Sequence, residues 1–413
     1  MTGFSAAGRE NTSTSHPFRH LRIAVSAALV AATIVTPTLG SGSAHALDNG
    51  LALTPPMGWN SWNYFGCNID QWKIMGMADA MVKTGLRDAG YIYLNMDDCW
   101  QAAKRNPDGS LAWDKKRFPD GIKALGDYIH ARGLKFGIYG NPGRKSCAEI
   151  YKGYQGAMGS YGHEYHDART YASWGVDYLK YDWCRAETVT TGEKAFTLMR
   201  DALRATGRPI VYSIHYEPEL PVQDWYPKVA NLWRTTPDIF DSWMSVAGIT
   251  MMNIPQGKYA KPGAWNDPDM LEIGNGGLNH HQSISHMALW SMMAAPLILG
   301  NDLRKLREQD RRILTDPVAL RVDQDRLGKP IKVVHKSLQL VLLRQLSDGQ
   351  WAVSFTNFGF GEAAMTVSLQ ELGLSGRWTY REGFYASHGK VGTTLSAKVP
   401  MHSSRLFLLT PRT

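Results

Sequence analysis

The chain has no run of five or more Lys/Arg residues, although its formal net charge is +8. Diffuse positive charge without a basic block argues against a nucleic-acid partner. After residue 46 no apolar stretch approaches the roughly 20 residues that span a bilayer, so the body of the chain is not expected to cross a membrane. The G-x-S-x-G nucleophile elbow is missing. No G-x-G-x-x-G or Walker loop follows the first strand-like run, which argues against a doubly wound sheet, the main alternative to a barrel. Cysteine is scarce, with four residues and no C-x-x-C spacing, so a zinc site has no support.

Aromatics, by contrast, are plentiful: 14 Trp and 18 Tyr, residues whose faces stack on the C–H surfaces of sugars as well as filling cores. The N-terminus has the form of an export signal. Arg19 and Arg22 precede an apolar run from Ile23 to Val35, and small residues then lead to Ala44-His45-Ala46, an A-x-A site. Cleavage after Ala46 and a secreted, soluble mature chain are expected. Arg9, Arg19 and Arg22 against Glu10 give this leader +2, leaving +6 on the remainder. Export permits disulfides. Cys67, Cys99, Cys147 and Cys184 allow three pairings. The strand order below favours Cys67–Cys99 and Cys147–Cys184, each joining the loops after two neighbouring strands.

From residue 47 to about 327, apolar β-rich runs alternate with helical patterns. The expected strands are Pro56–Trp62, Tyr91–Asp98, Lys135–Gly140, Val176–Asp182, Ile210–His215, Leu232–Thr236, Ala264–Asp269 and Pro296–Asp302. Helical spacing occupies Asp70–Ala89, Gly121–Arg132, Glu193–Thr206 and His281–Ala294. Alternation of this kind implies parallel strands with crossover helices. Eight units over about 250 residues match a (β/α)8 TIM barrel, whose site lies at the C-terminal strand ends. From residue 328 to 413 the pattern changes to short alternating runs between Gly, Ser and Asp turns. Leu338–Gln345, Trp351–Asn357, Ala364–Leu369, Trp378–Glu382 and Ser404–Leu409 predict an antiparallel β-sandwich domain. No Gly- or Pro-rich linker separates the two, so the second domain is expected to dock tightly.

The sharpest chemistry lies at strand ends. Tyr178, Lys180 and Asp182 alternate along one strand, so all three face the barrel interior, with Asp182 at its end. A neighbouring Lys180 favours the ionised carboxylate that a nucleophile requires. Asp238 stands four residues after Arg234, beyond the sixth strand. Asp241 reads as a helix cap or a solvated residue. Asp97-Asp98 closes the second strand and Trp265-Asn-Asp-Pro-Asp269 the seventh. Acid clusters also hold divalent metals, but Lys180 and Arg234 in the same place argue against one. His280, His281 and His286 read as surface or packing residues.

In this order the motifs resemble glycoside hydrolase family 27, the α-galactosidase family. They are Pro55-Pro-Met-Gly-Trp-Asn-Ser-Trp62, Tyr93-Leu-Asn-Met-Asp-Asp-Cys-Trp100, Arg117-Phe-Pro119, Leu134-Lys-Phe-Gly-Ile-Tyr139, Trp174-Gly-Val-Asp-Tyr-Leu-Lys-Tyr-Asp182, Trp233-Arg234 with Asp238, Gly263-Ala-Trp-Asn-Asp-Pro-Asp-Met270, Ala294-Ala-Pro-Leu297 and Asn301-Asp-Leu-Arg304. The resemblance is dense over residues 53–328 and looser beyond. It implies a secreted enzyme that cleaves terminal α-galactosides, in oligosaccharides or polysaccharides, by a retaining double displacement. Asp182 would be the nucleophile and Asp238 the general acid and base, with the two carboxyl groups about 5–5.5 Å apart. Asp182 is expected to be polar and supported by cations, and Asp238 less solvated with a raised pKa. By the same resemblance Trp59 forms a wall of the sugar site, and Asp97 and Asp98 accept from the 4- and 6-hydroxyls. Tyr139, Lys180, Arg234 and Asp269 complete the pocket, the cysteines match the two proposed disulfides, and no cofactor or metal is implied.

One segment departs from the family. Where its α-galactosidases usually read Cys-Glu-Trp after the fifth strand, this chain reads Ile214-His-Tyr216, and the missing cysteine's partner is Ala230. A disulfide is lost as a pair. His215 stands in place of the glutamate that usually addresses the sugar's 2-hydroxyl, with Glu217 and Glu219 as nearby substitutes. Specificity at carbon 2 is therefore open, among α-galactosidase, α-N-acetylgalactosaminidase, β-L-arabinopyranosidase and isomaltodextranase. The intact Asp97-Asp98 pair favours a sugar with a 6-hydroxyl. A non-catalytic sugar-binding protein is the reading from another class, and the intact Asp182 and Asp238 argue against it.

Overall fold

The computed structural model describes residues 47–154, 156, 158–216 and 222–412. The expected leader, together with Glu217 and Glu219, lies outside the described residues.

Among the described residues, eight parallel strands form one curved sheet. They are β1 (Met57–Asn60), β2 (Tyr93–Met96), β3 (Lys135–Gly140), β4 (Tyr178–Tyr181), β5 (Val211–Ile214), β6 (Leu232–Arg234), β7 (Trp265–Asp267) and β8 (Leu297–Leu299). Their spatial order is β7-β6-β5-β4-β3-β2-β1-β8, which is sequence order carried round a ring. The ring closes through the segment after β7: Leu271 N donates to Ile298 O at 2.7 Å, and Gly300 N to Leu271 O at 3.0 Å. The expected (β/α)8 barrel is therefore present. β3 matches its expected run, Lys135–Gly140, and the other seven strands are shorter than theirs, their flanking residues lying in the adjoining loops.

Strand alternation sorts the side chains. Leu179 and Tyr181 of β4 pack outward into the large core beneath the helices, whereas Tyr178 joins an interior cluster with Tyr93, Val211, Leu232 and Trp265. Interior space is tight enough to require glycine at Gly137, where a Cβ would meet Asn95 Oδ1 at 1.9 Å. Helix Gly192–Ala205 buries Ala195, Phe196, Met199, Ala202 and Leu203, one apolar stripe of helical period against the strands. Helix Gln71–Lys83 starts at Asp70, whose carboxylate accepts from Lys73 N. Helix His280–Met293 starts with a capping box of Asn279 and Gln282.

The C-terminal residues form a six-stranded antiparallel sheet and a two-stranded one. Their strands are β9 (Lys332–His335), β10 (Gln339–Gln345), β11 (Trp351–Asn357), β12 (Ala363–Ser368), β13 (Trp378–Glu382), β14 (His388–Val391), β15 (Thr394–Val399) and β16 (Ser404–Pro411). The period of two divides their apolar residues between two cores. Val341, Leu343, Val353, Phe355, Phe407 and Leu409 face Val367, Leu395 and Val399 inside the sandwich. Leu340, Leu342, Ala352, Leu406 and Leu408 belong instead to the barrel's own core. Arg344 shares that barrel-facing side and is wholly buried. It donates to the carbonyls of Ser291 and Val322 at 3.0 Å, so the seam between barrel and sandwich is packed and hydrogen-bonded. Three of these strands, β9, β14 and β15, were not among the sequence expectations. β9 and β14 are four-residue edge strands without a clean apolar alternation.

Candidate active site

Asp182 follows β4 directly, and its backbone N–H donates to Gly140 O on β3 at 3.0 Å. The carboxylate points to the barrel mouth with 14% of its side chain exposed. Oδ1 accepts from the Trp183 backbone N–H at 2.9 Å and lies 3.0 Å from His215 Nδ1. Burial alone would raise its pKa, but His215, Lys180 and the Trp183 N–H outweigh that and hold it well below the ordinary carboxylate range.

Lys180 is paired differently from the sequence expectation. Its Nζ lies 2.8 Å from Asp97 Oδ2, so its direct partner is Asp97 and it supports Asp182 only through space. Asp97 Oδ2 also accepts from Asn60 Nδ2 at 2.8 Å. Asp98 turns away toward the next loop, with Oδ1 accepting from Cys99 N and Oδ2 from Ala148 N. Burial, only partly offset by these donors, raises its pKa to about 6. The Tyr139 ring is buried with its hydroxyl 3.4 Å from Cys147 N, and burial raises its pKa well above the usual value.

The other half of the mouth is organised by Arg234, the last residue of β6. Its Nη2 lies 3.0 Å from Asp238 Oδ1 and 3.1 Å from Asp269 Oδ2. Asp269 Oδ2 also accepts from Ile239 N at 2.8 Å, which ties the Asp238 loop to the end of β7. Asp269 holds φ at +83°, a left-handed conformation uncommon outside glycine and typical of strained functional sites.

Two expectations need correction. Asp238 is neither poorly solvated nor raised in pKa. Its side chain is 59% exposed, and although partial burial raises the pKa, Arg234, His215 and Lys180 bring it below the ordinary value. Trp59 is not a wall of an accessible pocket. It has no exposed surface, packs in the outer core and donates Nε1–H to Asn301 O at 2.7 Å. Alternation along β1 is the reason: Asn60 reaches inward to Asp97, so Trp59 must face out. The tryptophan that meets the cleft is the half-buried Trp62. It lines a cleft of about 700 Å³ with Tyr64, Phe240, Asp238, Glu272 and Asn275. The P-P-M-G-W-N-S-W segment held both tryptophans, and counting parity from Asn60 would have selected the second.

Cys67–Cys99 joins the loops after β1 and β2, and Cys147–Cys184 those after β3 and β4, each with Cα atoms 5.2 Å apart. The second cystine flanks Asp182, with both Sγ atoms within 4.8 Å of its carboxylate; as a disulfide it presents no thiolate to a metal. Asp241 does not cap a helix: Ser242 caps Trp243–Asn253, and Asp241 Oδ2 accepts from Gly277 N at 2.6 Å. His286 is a packing residue, kept neutral by burial with its pKa near 3 and its Nε2 accepting from Glu272 N. Glu272, unnoticed in the sequence, is buried between Asn63 and Asn275, and desolvation raises its pKa to about 7.

A family model described as alpha galactosidase A matches residues 54–325, and one described as the alpha galactosidase C-terminal beta sandwich domain matches residues 339–409. The α-galactosidase A of Cellvibrio japonicus is 40% identical over 386 residues, covering 88% of this chain and 93% of its own. The α-galactosidase of Cyamopsis tetragonoloba is 40% identical over 372 residues, covering 89% of each. The crystal structure of α-galactosidase I from Mortierella vinacea aligns with a TM-score of 0.82 at 33% identity, covering 88% of this chain and 98% of that one. Barrel and sandwich are shared together, in the same order and over nearly the full length of these relatives, so the chain belongs to the α-galactosidase family, glycoside hydrolase family 27.

Proposed function

We propose that this chain is an exported, retaining α-galactosidase in which Asp182 is the nucleophile and Asp238 the general acid and base. One observation carries the reading: an ionised Asp182 and a solvent-exposed Asp238 share the same charged surroundings at the barrel mouth. Lys180 and His215 act on both carboxylates, and Arg234 grips the second. Asp182 attacks C1 of the galactoside, and the C1–oxygen bond breaks as Asp238 passes its proton to the departing oxygen. Water then attacks C1 from the face of the departed group, gives its proton to Asp238 and frees Asp182, so galactose leaves with its configuration retained. A sugar seated in the cleft covers Asp238 and excludes water. That strengthens the burial that favours its protonated form. The aromatic faces of Trp62, Tyr64 and Phe240 beside Asp238 suit an aglycone sugar, which favours oligosaccharide substrates. The Lys180-bound Asp97 and the Arg234–Asp269 pair supply the polar contacts for galactose itself.

A fluorinated α-galactosyl substrate with a good leaving group tests the chemistry. Covalent labelling of the peptide containing Asp182, read by mass spectrometry, is expected. Labelling elsewhere, or none with an inverted product, overturns the assignment. Asp182→Asn should lower turnover on the order of 10⁴-fold. A panel of nitrophenyl glycosides tests the sugar: the α-galactoside should be cleaved, and the N-acetylgalactosaminide and arabinopyranoside left intact.

A further inference from the structure

His215 stands where the family usually places a glutamate, yet its contact is with Asp182. The register explains this. Tyr181 of β4 pairs with Ile214 of β5, and the His215 backbone N–H donates to Tyr181 O at 3.0 Å. Asp182 and His215 are thus side by side in the next layer, both on the inward parity that Lys180 and Ser213 occupy one layer below. The imidazole is buried, with 8% of its side chain exposed, and Nδ1 lies 3.0 Å from Oδ1. A glutamate here would set like charge against Asp182 and would have to turn toward the substrate. A histidine can face the nucleophile and donate to it.

We propose that His215 is a positioning residue for Asp182: its Nδ1–H and the Trp183 N–H together hold Oδ1, so that Oδ2 is the oxygen presented to C1. This rests on the reading of Asp182 as nucleophile. Both nitrogens approach the same oxygen, His215 Nδ1 at 3.0 Å and the donating Trp183 N at 2.9 Å. Because Oδ1 belongs to a carboxylate that its surroundings keep ionised, the facing nitrogen carries a proton in both the neutral and the charged ring. The charged groups around it come from every neighbouring strand. Lys180 lies on β4 with Asp182 just after it, Asp97 just after β2, Arg234 and Asp238 on β6 and the loop that follows it, Asp267 on β7 and Asp269 two residues beyond. As the ester forms at Oδ2, Asp182 loses its negative charge and positive charge develops at C1. A charged imidazole holds the free carboxylate more strongly than the ester and repels the developing cation. The neutral ring with its proton on Nδ1 is therefore the faster form for glycosylation.

The test measures kcat/KM for a nitrophenyl α-galactoside across pH, for the native enzyme, His215→Asn, His215→Leu and Asp182→Asn. Asparagine can place an amide N–H near the position of Nδ1–H and does not titrate; leucine has similar bulk and no donor. His215→Leu should lose about a hundredfold in kcat/KM, and His215→Asn should stay within about tenfold of native. The acid limb of the His215→Asn profile should move to lower pH, because kcat/KM reports ionisations of the free enzyme and the imidazole is gone. A structural role alone would move neither the Asn–Leu difference nor the limb. Equal kcat/KM for the two variants, or a His215→Asn profile identical to native, overturns the proposal. If His215→Leu fails to fold, the pH limb of His215→Asn decides. An inactive Asp182→Asn beside indistinguishable His215 variants sinks this inference alone, whereas an active Asp182→Asn sinks the nucleophile assignment and this inference with it.

Discussion

Trp59 and Trp62 are three residues apart and occupy opposite sides of the barrel wall. Trp59 fills the outer core, with its ring centroid 6.1 Å from that of Phe65 and its indole N–H on Asn301 O. Trp62 faces the cleft beside Asp238. Substitution should separate the two roles. Trp62→Ala is expected to raise KM for an oligosaccharide such as raffinose several-fold more than for a nitrophenyl galactoside, with little change in thermal stability. Trp59→Phe removes a buried hydrogen bond and some volume, and should cost about 1–3 kcal/mol in denaturant unfolding with KM nearly unchanged. The reverse pattern would restore Trp59 to the sugar site. Asp238 carries the same lesson in electrostatics. Its position four residues from Arg234 was plain in the sequence, but whether burial or the guanidinium dominates its pKa depends on exposure that only the folded loop defines.

Among the elements, the β5 end is the one rebuilt. The family's usual cystine there is replaced by Ile214 and Ala230, both fully buried. An aromatic cluster packs against the same loop. Trp183 meets Tyr216 with centroids 4.7 Å apart, Phe196 stacks on Trp225 at 6.0 Å, and Trp225 meets Tyr226 at 4.3 Å. Such pairs contribute about 0.5–1.5 kcal/mol each beyond area burial. Phe196 also touches Tyr181 and Tyr216, so it joins the helix Gly192–Ala205 to β4 and to the loop that follows His215. Phe196→Ala should destabilise the protein by about 3–5 kcal/mol, read from the urea or guanidinium midpoint. A loss under about 1 kcal/mol would mean that the cluster does not take over the role of the absent cystine.

For the molecule as a whole, pH enters stability through buried carboxyls whose pKa values shift in opposite directions. Asp182 is held ionised, whereas burial raises Glu272 from 4.5 to about 7. A raised folded-state pKa means that the fold binds the proton more tightly than the open chain. The stability from Glu272 is therefore complete below about pH 4.5 and is lost as pH rises through about 7. The native-minus-variant stability difference for Glu272→Gln should fall by roughly 3 kcal/mol between pH 4.5 and 8, taking about 1.36 kcal/mol per pKa unit. A flat difference across that range would refute the buried, proton-holding Glu272. The sandwich adds a second whole-molecule feature, since one face of its larger sheet completes the barrel's core. Alternating runs such as Leu340–Leu343 announced the strands, but nothing local says that Leu340 and Leu342 pack on the barrel while Val341 and Leu343 pack on β12 and β15.

The residues alone were enough to determine the strand–helix rhythm, the inward parity of Lys180 and Asp182, the pairing of the four cysteines and the family. Each of these follows from periodicity, from order along the chain, or from motifs of a few consecutive residues. The tertiary structure decided which tryptophan meets the cleft, which carboxylate Lys180 binds, how exposed Asp238 is, and that His215 faces Asp182. These are contacts between strands and loops tens of residues apart. Their energies depend on distance and dielectric across the barrel mouth, which no single segment of the sequence contains.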